Sequence, residues 1–600
     1  MKFLLAAVNA KYIHSNLGIY SLKACADARM AGGPVEVELA EYTINHQPEQ
    51  VLQDIYRRRP EAVGFSCYIW NISLIRELIA DLALVLPQTE IWLGGPEVSF
   101  ECERLLYSLP AVRGVMKGEG EETFCRLAAA YGEAERLEAL LQAESGIPGP
   151  SDADLAAIPN LAFRRRDGGI FQTPDGPPSD MGSFPFSYKQ LGLENLEHRI
   201  IYYESSRGCP FSCSYCLSSV DKALRFRPIS LVKQELDWFL ERKVLQVKFV
   251  DRTFNCKKSH ALAIWRHIQE HDNGVTNFHF EIAADLLDEE EMELLEKMRP
   301  GLVQLEIGVQ STNPQTLREI RRRTDIGEIR RITARINSWH NIHQHLDLIA
   351  GLPWEGIESF RTSFNEVYGM EPEQLQLGFL KVLKGSHMAE MAESYGLVYS
   401  RRPPYEVLST RWISYEELLE LKGVEEMVEI HYNSRQFVHT LALLQEEFST
   451  PYDMFLHMAR FYREQGYAGL NHSRAARYEI LWKMIGSLTV DCGRREIYRD
   501  ALVFDLYLRE NSKSRPEFAR DQNPFKERIR EFYRMEAQEP RYLSGYQGCD
   551  GRQLQRMTHL EGMGDGTLVL FDYRDRDPLD YNARTWRLDL DGAVKRCKKP

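Results

Sequence analysis

Over its first 131 residues the chain alternates short apolar runs with longer stretches in which apolar positions recur every three or four residues. Residues 2–8, 35–42, 62–66, 90–93 and 112–116 predict strands, and 16–30, 48–58, 72–86, 98–106 and 121–131 predict the helices between them. Five such βα units imply a doubly wound, Rossmann-like parallel sheet, whose ligands lie beyond the carboxyl ends of its strands. Residues 144–159, rich in Gly, Pro, Ser and Asp, read as a connection. Within the same linker, 160–166 and 169–173 flank Asp167-Gly168 as a small hairpin, and the proline-rich run 173–185 is expected to cross the domain boundary. The βα rhythm then resumes, with strands predicted at 200–204, 244–250, 278–283, 302–309, 343–350 and 374–380. A helix at 230–242 takes Ser230 as its N-cap. From residue 401 the period is mostly helical, over 415–434, 436–448, 451–464, 475–485 and 497–509, with strands at 567–573 and 585–590.

Six hundred residues exceed one hydrophobic core, so several domains are expected. A net charge of −13 argues against nucleic acid as a partner. The apolar N-terminal run ends at Asn9-Ala10-Lys11, too short for a signal peptide, and no run is long enough for a membrane span. Eleven cysteines, an odd number, do not form a disulfide framework, and Cys549 and Cys597 are too far apart for a paired motif. A reducing cytoplasm is the expected compartment.

The chemistry concentrates in Ser206-Arg207-Gly208-Cys209-Pro210-Phe211-Ser212-Cys213-Ser214-Tyr215-Cys216, directly after a predicted strand. Cys209, Cys213 and Cys216 are spaced C-x3-C-x2-C, so one loop can present all three thiolates to a compact soft metal centre. Structural zinc and cluster sites normally close with four protein ligands. Two readings follow: a zinc site with a distant fourth ligand, for which Cys256 is nearest, or a 4Fe-4S cluster with one iron open.

The loop resembles the signature of the radical S-adenosylmethionine (SAM) superfamily, in its cysteine spacing, its Gly-Cys-Pro opening and the aromatic Tyr215 before the third cysteine. The resemblance implies a cluster whose open iron is chelated by SAM and a partial (β/α)6 barrel over residues 191–400. It also implies that Tyr215 lies against the adenine and that Asp251 and Thr253 meet the methionine amino group. Glu281 and Gln310 would contact ribose and carboxylate, and Gly351, in Gly351-Leu352-Pro353, would let the adenine pack on backbone. A strand-end carboxylate could instead cap a helix or pair with Arg. Lys384-Gly385-Ser386-His387 could face a substrate or form a solvated loop, and Arg321-Arg322-Arg323 with Arg330-Arg331 reads as a solvated or salt-bridged helix face.

Ser66, followed one βα unit later by Gly94-Gly95, resembles the serine and paired glycines of cobalamin-binding domains. Residues 1–143 would then be such a domain, 144–190 a linker with a small hairpin, and 401–600 a mostly helical extension covering the open barrel. The resemblance implies that Lys11, His14, Ser66, Tyr68, Gly94, Gly95, Gly118 and Gly120 border cobalamin. The family's cobalt-ligating D-x-H-x-x-G is absent: Asn9 and Lys11 stand in that turn, and Gly18 follows His14 one residue late. His14 could ligate cobalt or be a loop histidine bonded to backbone. Gly118-Glu119-Gly120-Glu121 is no dinucleotide fingerprint, because it follows the last strand of the unit, and its acids would repel a pyrophosphate.

The expected activity is hydrogen abstraction by an adenosyl radical, with methylation of an unactivated carbon in a small-molecule or peptide substrate. Cofactors would be a 4Fe-4S cluster, SAM and cobalamin, with flavodoxin or ferredoxin as electron donor. Oxidative cyclisation, ring contraction, a methylthiotransferase-like role on RNA, and a non-catalytic zinc adaptor are the alternatives.

Overall fold

The computed structural model describes residues 1–30, 33–141, 149–189, 191, 199–488, 491–588 and 594–596, and among these the strands form five sheets. Residues 144–148 of the expected connection and Cys597 lie outside the described residues. The first sheet contains β1 (Lys2–Asn9), β2 (Glu36–Thr43), β3 (Ala62–Ser66), β4 (Glu90–Gly94) and β5 (Val112–Met116), parallel in the order β2-β1-β3-β4-β5. Phe3 to Val8 of β1 are buried almost completely, as an apolar strand covered on both faces must be. Strand order reverses between β1 and β3, so the crevice of this sheet opens beyond those two strands.

The hairpin expected in the linker belongs to this sheet. β6 (Leu161–Arg164) pairs antiparallel with β5, and β7 (Ile170–Gln172) pairs with β6. A lone hairpin is marginal in water, whereas here Leu161, Ala162 and Phe163 become fully buried and β5 loses its open edge. The helix predicted at 98–106 starts only at Cys102, because Gly95 and Glu101 take left-handed backbone and break the segment before it.

The second sheet is six-stranded and parallel: β8 (Ile201–Tyr203), then, after a short antiparallel pair β9 (Ser206–Arg207) and β10 (Arg225–Phe226), β11 (Gln246–Phe249), β12 (Asn277–Ile282), β13 (Val303–Gln310), β14 (His343–Ala350) and β15 (Gln374–Phe379), in the order β15-β14-β13-β12-β11-β8. Alternate positions such as Phe278, Phe280, Leu305, Ile307, Leu346 and Leu348 are buried. The other set is polar: Tyr202, Lys248, His279, Glu281, Gln304, Glu306, His343, His345 and Asp347. A barrel interior is ordinarily packed with branched aliphatic side chains, so this polar inner face marks a cavity-lining surface. The helix after β10 runs Ile229–Glu241 with Pro228 at its N-cap and no side-chain cap, so Ser230 lies in the first turn and does not cap it.

β16 (Val398–Tyr399) and β17 (Val407–Ser409) pair after the second sheet. Helices Tyr415–Met427, Val438–Gln445, Pro451–Glu464, Arg474–Ser487 and Cys492–Arg509 follow, the first prolonged by a wide π-turn over Val428–Asn433. The chain ends in an antiparallel sheet of β18 (Thr558–Gly562), β19 (Leu568–Asp572), β20 (Arg584–Leu588) and β21 (Val594–Arg596), of which the sequence pattern showed only β19 and β20. Among the described residues no helix is long and apolar enough to cross a membrane.

Candidate functional site

The pairing of β9 with β10 pinches the cysteine loop shut at its base. Gly208 takes φ +85°, and a Cβ there would stand 2.7 Å from the Ala223 carbonyl oxygen, so the turn admits only glycine. Backbone bonds from Cys209 N to Asp221 O (3.2 Å), Ser214 N to Ile320 O (2.9 Å) and Met388 N to Ser214 O (2.8 Å) fix the loop on the rest of the barrel. Cys209, Cys213 and Cys216 line one cavity of about 200 Å³ at the carboxyl ends of the strands. Burial raises the Cys213 thiol pKa, against the opposing pull of the neighbouring Arg322 charge. Cys256 is not among the cavity-lining residues.

Of the residues expected around SAM, Tyr215, Thr253, Glu281 and Gln310 line this cavity. Thr253 Oγ1 lies 3.7 Å from Cys209 Sγ. Gln310 ends β13 with φ +74° and keeps its Oε1 buried without a partner, a strained conformation of the kind that clusters at functional sites. Asp251 and Gly351 do not line the cavity. Asp251 is buried behind it and accepts hydrogen bonds from Ser205 N (3.0 Å), Ser205 Oγ (2.7 Å) and Ser206 Oγ, so it anchors the start of the cysteine loop. Burial, against these hydrogen bonds, pushes its pKa up to about 6. Gly351 packs against Val407 of β17.

Arg322 and Asp347 line the cavity without having been expected there. Arg322, read as part of a solvated helix face, is half-buried and turned inward: it donates to the Gly308 carbonyl, to Tyr215 Oη (3.5 Å) and to Cys213 Sγ (3.9 Å), and its Nε is buried without a partner. Its neighbour Arg321 is exposed and bonds His387 Nε2 at 2.8 Å. Glu306 and Asp347 also line the cavity. Lys248 Nζ lies 2.9 Å from Glu306 Oε2 and 4.0 Å from Glu281 Oε1. Burial, and then the Glu306 charge, push Glu281 up to about 7. Burial, then Glu306 and Glu281, hold Asp347 well above the usual carboxylate range. Glu306 would also rise with burial, but His279 and Lys248 bring it down to about 2. Burial lowers the histidines of this face, to about 4 for His343 and about 3 for His345, so both imidazoles are neutral.

Facing the barrel are the carboxyl ends of the first sheet. Tyr12, Ile13 and Trp70 are exposed there, and Trp70 stacks on Tyr68 with ring centroids 4.2 Å apart. Exposed rings beyond β1 and β3, at the crevice of the sheet, mark a surface for a large, partly apolar ligand. Lys11 is exposed on the same rim. Ser66 ends β3, its carbonyl accepting from Asn71 Nδ2 at 2.9 Å. Gly95, at φ +106°, lies so close to Cys67 that a Cβ would meet its carbonyl oxygen at 2.6 Å, whereas Gly118 looks into open space. Gly94 and Gly120 contact Met116 and Leu22. His14 is committed to the other domain: its Nδ1 lies 2.6 Å from Tyr202 Oη, and a backbone bridge joins it to Ile200.

The acids of Gly118-Glu119-Gly120-Glu121 bind arginines of the cysteine loop. Arg207 grips Glu121 through both terminal nitrogens (2.5 and 3.1 Å) and Glu204 through Nε (2.9 Å), while Arg225 pairs with Glu119. Lys384 does not reach the cavity; it pairs with buried Glu97, 2.8 Å away on the loop after β4, where Tyr405 also donates.

The sequence matches the family description B12 binding domain over residues 4–128, Radical SAM superfamily over 203–367, and a protein of unknown function (DUF4080) over 393–567. It is 25% identical over 380 residues to the cobalamin-dependent radical SAM methyltransferase TokK of Streptomyces tokunonensis, covering 57% of this chain and 51% of that protein. It is 21% identical over 353 residues to the anaerobic magnesium-protoporphyrin IX monomethyl ester cyclase of Rubrivivax gelatinosus, covering 57% of this chain and 60% of that one. The chain thus spans only about half to three-fifths of these relatives. Among solved structures, the cobalamin-dependent S-adenosylmethionine radical enzyme OxsB, with aqua-cobalamin and SAM bound, shares the fold at TM-score 0.56 and 13% identity, over 86% of this chain and 76% of that one.

Proposed function

Because the chain is a radical SAM protein with a B12 binding domain at its N-terminal side, we propose that it is a cobalamin-dependent radical SAM enzyme that methylates an unactivated carbon of a small-molecule or peptide substrate. The observation that carries this reading is the one cavity lined by Cys209, Cys213 and Cys216 at the carboxyl ends of the barrel strands. Bound there, a 4Fe-4S cluster with SAM supplies a 5′-deoxyadenosyl radical for hydrogen abstraction, and cobalamin supplies a transferable methyl group.

The chain's own residues hold and orient. The three cysteines would hold the cluster. Tyr215, Thr253, Glu281, Gln310 and Arg322 offer the cavity one aromatic face, two neutral polar groups, an acid and a cation, a set suited to an amino acid linked to a nucleoside. The exposed rings beyond β1 and β3 receive the corrin edge, and His14, tied to Tyr202, positions the loop after β1 rather than ligating cobalt. The arginine–glutamate contacts hold the two cofactor surfaces at a fixed separation. A flavodoxin or ferredoxin in a reducing cytoplasm fits the need for one electron per turnover.

The test is anaerobic reconstitution with iron, sulfide, cobalamin, SAM and reductant, followed by assay for 5′-deoxyadenosine. Cys209→Ala, Cys213→Ala and Cys216→Ala should each abolish that product; its persistence would refute the reading. Similarity to the anaerobic cyclase favours oxidative cyclisation as a second reading. SAM carrying a deuterated methyl group separates the two, since only methylation puts the label in the product.

A further inference from the structure

We propose that His279, Glu306 and His345, on the adjacent strands β12, β13 and β14, form a site for one first-row divalent transition-metal ion, of the zinc or ferrous class, at the floor of the cavity. Their ligand atoms lie within 4.8 Å of one another and come from the inward-facing set of the sheet. Two imidazoles and a carboxylate match the donor preference of such ions. His279 is 5% exposed, and its Nε2 is buried without a hydrogen bond although it lies 2.9 Å from Glu306 Oε2. Donors on adjacent octahedral positions of an ion with bonds of about 2.0–2.1 Å stand about 2.9 Å apart, and on tetrahedral positions about 3.4 Å, so this contact lies near the spacing of two ligands of one ion. The second imidazole already has an outer contact, Gln304 Nε2 at 2.8 Å from His345 Nε2, which would have to yield.

Lys248 is the competitor, since its ammonium lies 2.9 Å from the same Glu306 oxygen. It also lies 4.0 Å from Glu281 Oε1, so it has a second carboxylate to move to when the ion takes Glu306. Asp347, with Oδ1 buried and unpartnered, adds a further carboxyl group to this floor. Of the trio only Glu306 lines the cavity, so an ion there would sit just beneath its floor. The inference stands apart from the radical chemistry, because no cysteine takes part.

The full-length chain, with its cluster reconstituted, is dialysed against zinc and the bound metal counted by elemental mass spectrometry. One zinc per chain is expected beyond the cluster iron. His279→Ala and His345→Gln should each weaken it at least tenfold, and Lys248→Met should tighten it. The triple alanine variant of the cluster cysteines should keep it even with radical chemistry abolished. His271→Ala, which dismantles the surface trio Asp237–His267–His271, should leave it unchanged. Cobalt uptake by the wild type gives a check that needs no variant: nitrogen and oxygen ligation without thiolate charge-transfer bands supports the site. Absence of zinc from the wild type, loss in His271→Ala, or thiolate bands in the cobalt spectrum would overturn it.

Discussion

Removing the Glu121 carboxylate should loosen the cysteine loop without touching the cavity. Arg207 and Glu121 are 16% and 6% exposed at their side chains, and Ser21 Oγ donates to the same glutamate at 3.0 Å. Burial would raise the Glu121 pKa, but the Arg207 charge holds it below the usual carboxylate range. Breaking a buried pair by deleting one partner typically costs about 3–5 kcal/mol, mostly the penalty of the orphaned charge. Arg207 keeps Glu204 and Glu119 nearby, so about 2–3 kcal/mol is the expected loss. Several domains make a global unfolding energy ill-defined, so the loss is best read as local opening by amide hydrogen exchange. In Glu121→Ala the protected amides of Cys209 and Arg227, bonded to Asp221 O and Ser205 O, should exchange about 30- to 150-fold faster. Equal exchange in wild type and Glu121→Ala would refute the assignment of these contacts as the tie between the domains.

Other outcomes follow from the same geometry. Arg322→Ala should weaken SAM binding about 10- to 100-fold, the worth of one charge-assisted hydrogen bond, with iron content unchanged; equal affinity in a calorimetric titration would remove Arg322 from the site. Glu281, with a pKa of about 7, holds a proton in the folded chain that the unfolded chain has released. Its contribution to stability is therefore present below the ordinary carboxylate value and lost as pH rises through about 7. Glu281→Gln should accordingly gain melting temperature relative to wild type between pH 5 and 8, and a constant difference would show that Glu281 is ionised throughout. Gly95→Ala should destabilise the first domain by more than about 2 kcal/mol, through a backbone collision at left-handed φ, while Gly118→Ala should cost only about 1–2 kcal/mol. Thermal melts of the two variants check the order.

The sequence by itself determined the local structure and the chemical kind of centre. Runs such as Phe3–Val8 are apolar throughout because parallel strands are covered on both faces, and three thiols within eight residues need no distant partner to bind one centre. Only the tertiary structure decided which side chains share the cavity, because the inward positions of separate strands carry no mark in linear order. Arg322 stands between two other arginines and is indistinguishable from them until the turn after the helix Pro314–Glu319 directs it to Cys213 and Tyr215. Asp251 had the right place for a ligand contact, yet two serine hydroxyls and a backbone amide hold it behind the loop. Glu119 and Glu121 read as repellent to phosphate because their partners, Arg207 and Arg225, lie 86 or more residues away, and electrostatic pairing over such a separation exists only after folding.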